Sequence, residues 1–70
     1  MTATVPAECR MANDIARNLA YLPADEAAEA IAGHIQRFWD PRMRSRLSGF
    51  VEAGADGLDP LVVAAVARLP

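Results

Sequence analysis

The placement of the prolines constrains this chain more than any other feature. Asp40-Pro41 and Asp59-Pro60 each pair a residue that caps helices with one that fits a helix only in its first turn. Leu22-Pro23 marks a third break, because proline lacks an N–H and crowds the turn before it. Pro6 sits where another first helical position would fall. The stretches between these marks can hold only short helices.

Hydrophobic spacing fills them in. Met11, Ile15, Leu19 and Leu22 recur at helical intervals, predicting a first helix from Ala7 to about Tyr21. A second runs from about Ala24 to Trp39. Its stripe is Ala27, Ile31, Ile35 and Phe38, with His34 on the same side. Asp25, Glu26 and Glu29 near its start and Arg37 near its end suit the helix dipole. A third runs from about Pro41 to Ala53, with Met43, Leu47, Phe50 and Val51 on one face and Gly49 as a weak point. Gly54 and Gly57 bracket a loop free to take positive φ. A fourth helix runs from about Pro60 to Leu69. No segment alternates as a strand does. The expectation is all-α: a small bundle of three to four short helices, with residues 1–5 a flexible N-terminal tail and 6–70 a single helical domain.

At 70 residues the chain has room for one domain that is marginal alone. Its single cysteine, Cys9, rules out an internal disulfide and fits a reducing compartment, so a cytoplasmic location is expected. Residues 1–10 contain Glu8 and lack the apolar run of a signal peptide. The longest apolar run, Pro60–Ala67, is far short of the ~20 residues a membrane span needs. With disulfide and metal set aside, a partner chain is the remaining means of support. The fourth helix points the same way, because a helix apolar all round must be covered all round. Part of it is then expected to face another protein, Leu61 and Val62 included, or a second copy when the chain is isolated. The alternative is that Ala64, Ala65 and Ala67 form a small outward face while the larger residues turn in.

Little here supports catalysis. The only Cys and the only His, Cys9 and His34, lie on different helices without a CxxC or HxxxH companion, so no metal site is expected. A nucleophile would have to be Ser45 or Ser48 beside His34, and both serines sit off the apolar face of their helix. There is no glycine-rich phosphate cradle. The chain is not expected to be an enzyme, and no catalytic, cofactor-binding or metal-binding residue is assigned.

The charge is uneven. The chain carries seven arginines, no lysine and nine acids, for a net charge of −2. Residues 34–47, HIQRFWDPRMRSRL, hold Arg37, Arg42, Arg44 and Arg46 against Asp40, a local net of +3. Arginine without lysine favours planar, bidentate contacts, although a GC-rich genome would give the same bias. A helical nucleic-acid-binding module is one reading of this patch. It is disfavoured by the acidic total, since non-specific affinity comes from neutralising many phosphates. A protein interface fits better. At about 100° per residue, Arg44 and Arg46 fall about 80° to either side of the third helix's apolar stripe, with Arg42 further out beside Arg46. Trp and Arg are types enriched at binding hot spots. Phe38, in phase with the core, is expected inside. Trp39, at the helix edge, is left as either a core residue of the corner or a partner contact. The candidate partner-binding residues are therefore His34, Arg37, Trp39, Arg42, Arg44, Arg46, Leu61 and Val62.

Three strings carry a family resemblance: Met11-Ala-Asn-Asp-Ile-Ala-Arg-Asn18, His34-Ile-Gln-Arg-Phe-Trp-Asp-Pro-Arg-Met-Arg44, and Gly57-Leu-Asp-Pro-Leu61 with the apolar tail after it. In this order the chain resembles the small delta subunit of NAD-dependent formate dehydrogenases that contain molybdenum or tungsten. The run FWDPRMR is the most specific part. The resemblance covers about Met11–Leu69, leaving residues 1–10 as an extension and Met11 as an alternative start. It implies a non-catalytic accessory subunit with no cofactor of its own. Its implied partner is the catalytic alpha subunit, which carries bis-molybdopterin guanine dinucleotide in an enzyme that also holds iron–sulfur clusters and FMN. The implied role is assembly of the complex or insertion of the molybdenum cofactor. His34, Phe38, Trp39, Asp40, Pro41, Arg42, Met43 and Arg44 would form the contact surface or its scaffold. No nucleic acid or membrane is implied.

Overall fold

The structure, a computed structural model, describes residues 5–54 and 56–69. It contains four helices: α1 (Ala7–Asn18), α2 (Ala24–Phe38), α3 (Pro41–Glu52) and α4 (Pro60–Val66). The described residues contain no strand. The expected tail at residues 1–5 lies outside the described residues except for Val5, which is exposed.

The proline-marked boundaries form as their chemistry dictates. Asp40 takes an extended conformation ahead of Pro41, and its Oδ1 accepts from the Met43 N–H at 2.8 Å. Asp59 does the same ahead of Pro60, accepting from the Leu61 N–H at 2.9 Å. Each carboxylate thus satisfies a backbone donor that has no partner within the helix and sits at its positive end. Between α3 and α4, Gly54 and Gly57 both adopt positive φ, +70° and +84°, where a side chain would be strained.

α4 packs most extensively on α2, and α1 touches all three other helices. α2 and α3, though consecutive, touch each other least. One core joins the helices: Cys9, Ala12 and Ala16 of α1, Ile31, Ala32 and Ile35 of α2, Trp39, Leu47 of α3, and Val62 and Ala65 of α4. Among the described residues, six of the twelve buried hydrophobic ones are alanine, so the helices approach closely and few large side chains fill the interior. No described polar or charged residue is buried.

Three expectations need correction. On α1 the innermost residues are Cys9, Ala12 and Ala16, while Ile15 and Leu19 pack from the flank and Met11 is 43% exposed. The small residues win the centre because they let the helix axis come nearer. Second, Met11, where the resemblance begins, lies inside a helix rather than at its start. Ala7 begins α1, and Cys9 is 1% exposed, fully inside the core. Third, Phe38 is not inside as expected, and of the two readings left open for Trp39 the structure takes the core one. Trp39 is 6% exposed and packed in the core, whereas Phe38 is 67% exposed. Trp39 lies four residues beyond Ile35, which continues the Ile31–Ile35 ridge as well as Phe38 would at three. It also ends the helix, with ψ of 140°, and its N–H still bonds to the Ile35 carbonyl at 2.9 Å. Of two residues competing for the same end of the stripe, the larger one buries more apolar area.

Candidate functional site

The arginine-rich stretch forms the corner where α2 ends and α3 begins, and its side chains divide into two groups. The first group serves the chain itself. Arg46 reaches across to α1, with its Nε 3.1 Å from Glu8 Oε2, and the Glu8 side chain is only 15% exposed. Arg44 directs Nη1 at the Gln36 carbonyl near the C-terminus of α2, a long contact of 3.4 Å. A cation there meets the negative end of the helix dipole. Trp39 holds the interior of the corner, and Asp40 caps α3.

The second group faces outward. His34 and Phe38 are four residues apart on α2, both exposed, with ring centroids 4.8 Å apart at a tilt of 43°. Arg37 and Arg42 are exposed, and neither forms an ion pair or side-chain hydrogen bond among the described residues. The corner thus presents an aromatic pair beside two uncommitted guanidinium groups. Of the candidate residues, His34, Arg37 and Arg42 are outward and free, Arg44 and Arg46 are engaged internally, and Trp39 is covered. Phe38 was missed as a surface residue because its phase matched the core stripe.

α4 does not form a single face with this corner. Val62 and Ala65 are fully buried, and Leu61 is half-buried. Val62 therefore holds the core together and has no surface to offer a partner. Pro60, Val63, Ala64 and Ala67 are the exposed residues of the helix and its C-cap, so the outward face is small-residue and apolar with Val63 at its centre.

Asn13 carries an unforeseen structural role. Its Nδ2 donates to the Gly57 carbonyl at 2.7 Å, and its Oδ1 accepts from the Asp59 N–H at 2.9 Å. One side chain on α1 thereby fixes the loop that launches α4. Asp59 in turn caps α4, so Asn13, Gly57, Asp59 and Leu61 form one linked set.

Among the described residues, no group of three or more His, Cys, Asp or Glu side chains could hold a metal ion. Ser45 and Ser48, with Pro41, Arg44, Glu52 and Leu69, line an open groove of about 380 Å³ on α3. The Cys9 thiol has its pKa raised by burial and, secondarily, by the neighbouring Glu8 carboxylate, so it stays protonated and unreactive in the folded chain. No described helix is long and apolar enough to cross a membrane.

No curated protein matches the chain. The family model of the NADH-dependent formate dehydrogenase delta subunit FdsD matches residues 9–66. That span begins at the buried Cys9 and takes in the Asn13 clamp, both Asp-Pro caps and the aromatic–arginine corner. The chain belongs to the FdsD family of formate dehydrogenase delta subunits.

Proposed function

We propose that this chain is a non-catalytic accessory subunit that binds the catalytic alpha subunit of its formate dehydrogenase and supports assembly or molybdenum-cofactor insertion. The observation that carries the reading is the α2–α3 corner. A chain of 70 residues with few large core side chains leaves Phe38 two-thirds exposed between uncommitted arginines. Aromatic and arginine side chains dominate the energetics of protein interfaces. Membership in a family of formate dehydrogenase delta subunits supports a partner among the other subunits of that enzyme. The expected compartment is the cytoplasm.

Holding the cofactor's pyrophosphate with all four arginines is less well supported, since Arg46 is committed to Glu8 and Arg44 to a backbone carbonyl. The same commitments reduce the patch available to nucleic acid to two free cations, too few for strong phosphate binding. The test is co-purification. Tagged chain co-expressed with the alpha subunit should retain it through washing, and a tagged chain that never retains it would overturn the reading. A difference in molybdenum content of the alpha subunit made with and without this chain then separates insertion from assembly.

A further inference from the structure

The outer face of α2 has an unusual centre. Gly33 lies in the middle of a 15-residue helix, is exposed, and would meet nothing within 4 Å if it carried a Cβ. Glycine in a helix interior costs up to about 1 kcal/mol relative to alanine. Nothing among the described residues accounts for it: no turn, no positive φ and no close neighbour. A glycine on a helix surface does leave a dip, which permits another backbone to approach.

What surrounds the dip is also informative. At 100° per residue, Gly33, Arg37, Ala30, His34 and Phe38 occupy one arc of about 140° on α2. The small Ala30 and Gly33 lie toward the middle of the helix, and the stacked His34–Phe38 pair and Arg37 rise at its C-terminal end. Arg42 follows within the first turn of α3. Of the acids near this face, Glu26 lies seven residues from Gly33 and eleven from Arg37, about 16 Å along the helix, while Glu29, four residues before Gly33 and about 40° outside the arc, is paired with Arg68 at 3.8 Å. Asp40, at the corner itself, has one carboxylate oxygen engaged in capping α3. The end of the surface next to the aromatic pair is thus positive on a chain that is acidic in total.

We propose that the outer face of α2 from Ala30 to Phe38, with Arg42, seats an acidic helical segment of the catalytic subunit, with Gly33 as the point of closest approach. This rests on the reading that the chain binds that subunit, and it specifies where and by what chemistry. A helix is the occupant because a dip between taller side chains accepts the ridge of another helix. Its acidic side chains pair with Arg37 and Arg42, and an apolar side chain packs on Phe38. Guanidinium groups left without acids of their own are matched best by carboxylates, which they bind bidentately. The exposed face of α4 around Val63 takes no part.

The test uses the full-length chain, tagged and co-expressed with the alpha subunit. Gly33→Leu, Phe38→Ala and the double variant Arg37→Glu/Arg42→Glu are compared with wild type and with Val63→Ser. The altered side chains are exposed and leucine is a better helix former than glycine, so each variant should keep the wild-type circular dichroism spectrum. The expected result is at least tenfold weaker retention of the alpha subunit by each of the three. Val63→Ser should bind as wild type does. Wild-type binding should also weaken as salt is raised, and that dependence should shrink in the double-Glu variant. Undiminished retention by Gly33→Leu and Phe38→Ala, or loss confined to Val63→Ser, would overturn the docking face while leaving the accessory-subunit reading intact. A salt-independent wild-type interaction would overturn the acidic partner. Failure of the wild type to bind the alpha subunit at all overturns both.

Discussion

Replacing Trp39 and Phe38 in turn gives a direct measure of how the α2–α3 corner is built. Trp39 is 6% exposed and shares its cluster with Ile31, Ile35 and Leu47, whereas Phe38 is 67% exposed. Truncating a buried tryptophan to alanine removes its transfer free energy and leaves a cavity, together about 3–5 kcal/mol. A chain of this length has a total stability of roughly 3.5–10 kcal/mol, so Trp39→Ala should remove about a third of it at the least. Trp39→Phe keeps most of the volume and should cost about 1–2 kcal/mol. Phe38→Ala loses contacts over only about a third of one ring's surface, worth about 1 kcal/mol or less at about 25 cal/mol per Å². Urea unfolding followed by far-ultraviolet circular dichroism ranks all three, and Trp39→Phe remains measurable if Trp39→Ala does not fold. A loss from Phe38→Ala equal to or greater than that from Trp39→Phe would refute the assignment of the two aromatics.

Other expectations follow from particular contacts. Asn13→Ala removes both bonds to the Gly57–Asp59 loop and leaves the part-buried Asp59 N–H without its partner, so it should cost about 1–3 kcal/mol. Hydrogen exchange should show the amides of α4 losing protection more than those of α2. Thermal melts of four glycine variants should divide by sign: Gly33→Ala and Gly49→Ala, helical with open space, should stabilise by up to about 1 kcal/mol. Gly54→Ala and Gly57→Ala, both at positive φ, should destabilise by about 1 kcal/mol. The Cys9 thiol should react with a disulfide reagent only as fast as the chain opens. Its folded pKa is raised, so the folded chain holds this proton more tightly than the unfolded one. The associated stability is present below the ordinary thiol value of 9.0 and falls as pH rises beyond it, which denaturant titrations at successive pH values would show.

The ends of the helices were legible in the sequence because capping is local. Asp40-Pro41, Asp59-Pro60 and the two loop glycines need only their neighbours to act, and all of them form as expected. The inward faces were less legible. Positions three and four residues along a helix are nearly equivalent in phase, so the spacing could not rank Phe38 against Trp39 or Met11 against Ala12. That choice depends on which neighbouring helix lies alongside each turn. The candidate site suffered from the same limit. Arg46 looked as free as Arg42 because Glu8, its partner, lies 38 positions away in the sequence. Asn13 gave no sign of its role, since its two partners are 44 and 46 positions distant. The signal that could have found Phe38 was its i, i+4 relation to His34 at the end of α2, where a flanking stack is as compatible with the spacing as a core position.

The dominance of the α2–α4 packing has a bearing on how the chain is made. Ile31 and Ile35 leave the ribosome well before Val62 and Ala65, the residues of α4 that join them in the core. α4 has seven residues, too few to hold a helix unaided, and its start is clamped by Asn13 of α1. A nascent chain that still lacks α4 therefore has its core open on that side. Folding must wait until α4 has been made and then proceed as one cooperative event. Until then the isoleucine ridge of α2 stays open, available to whatever protein is nearest.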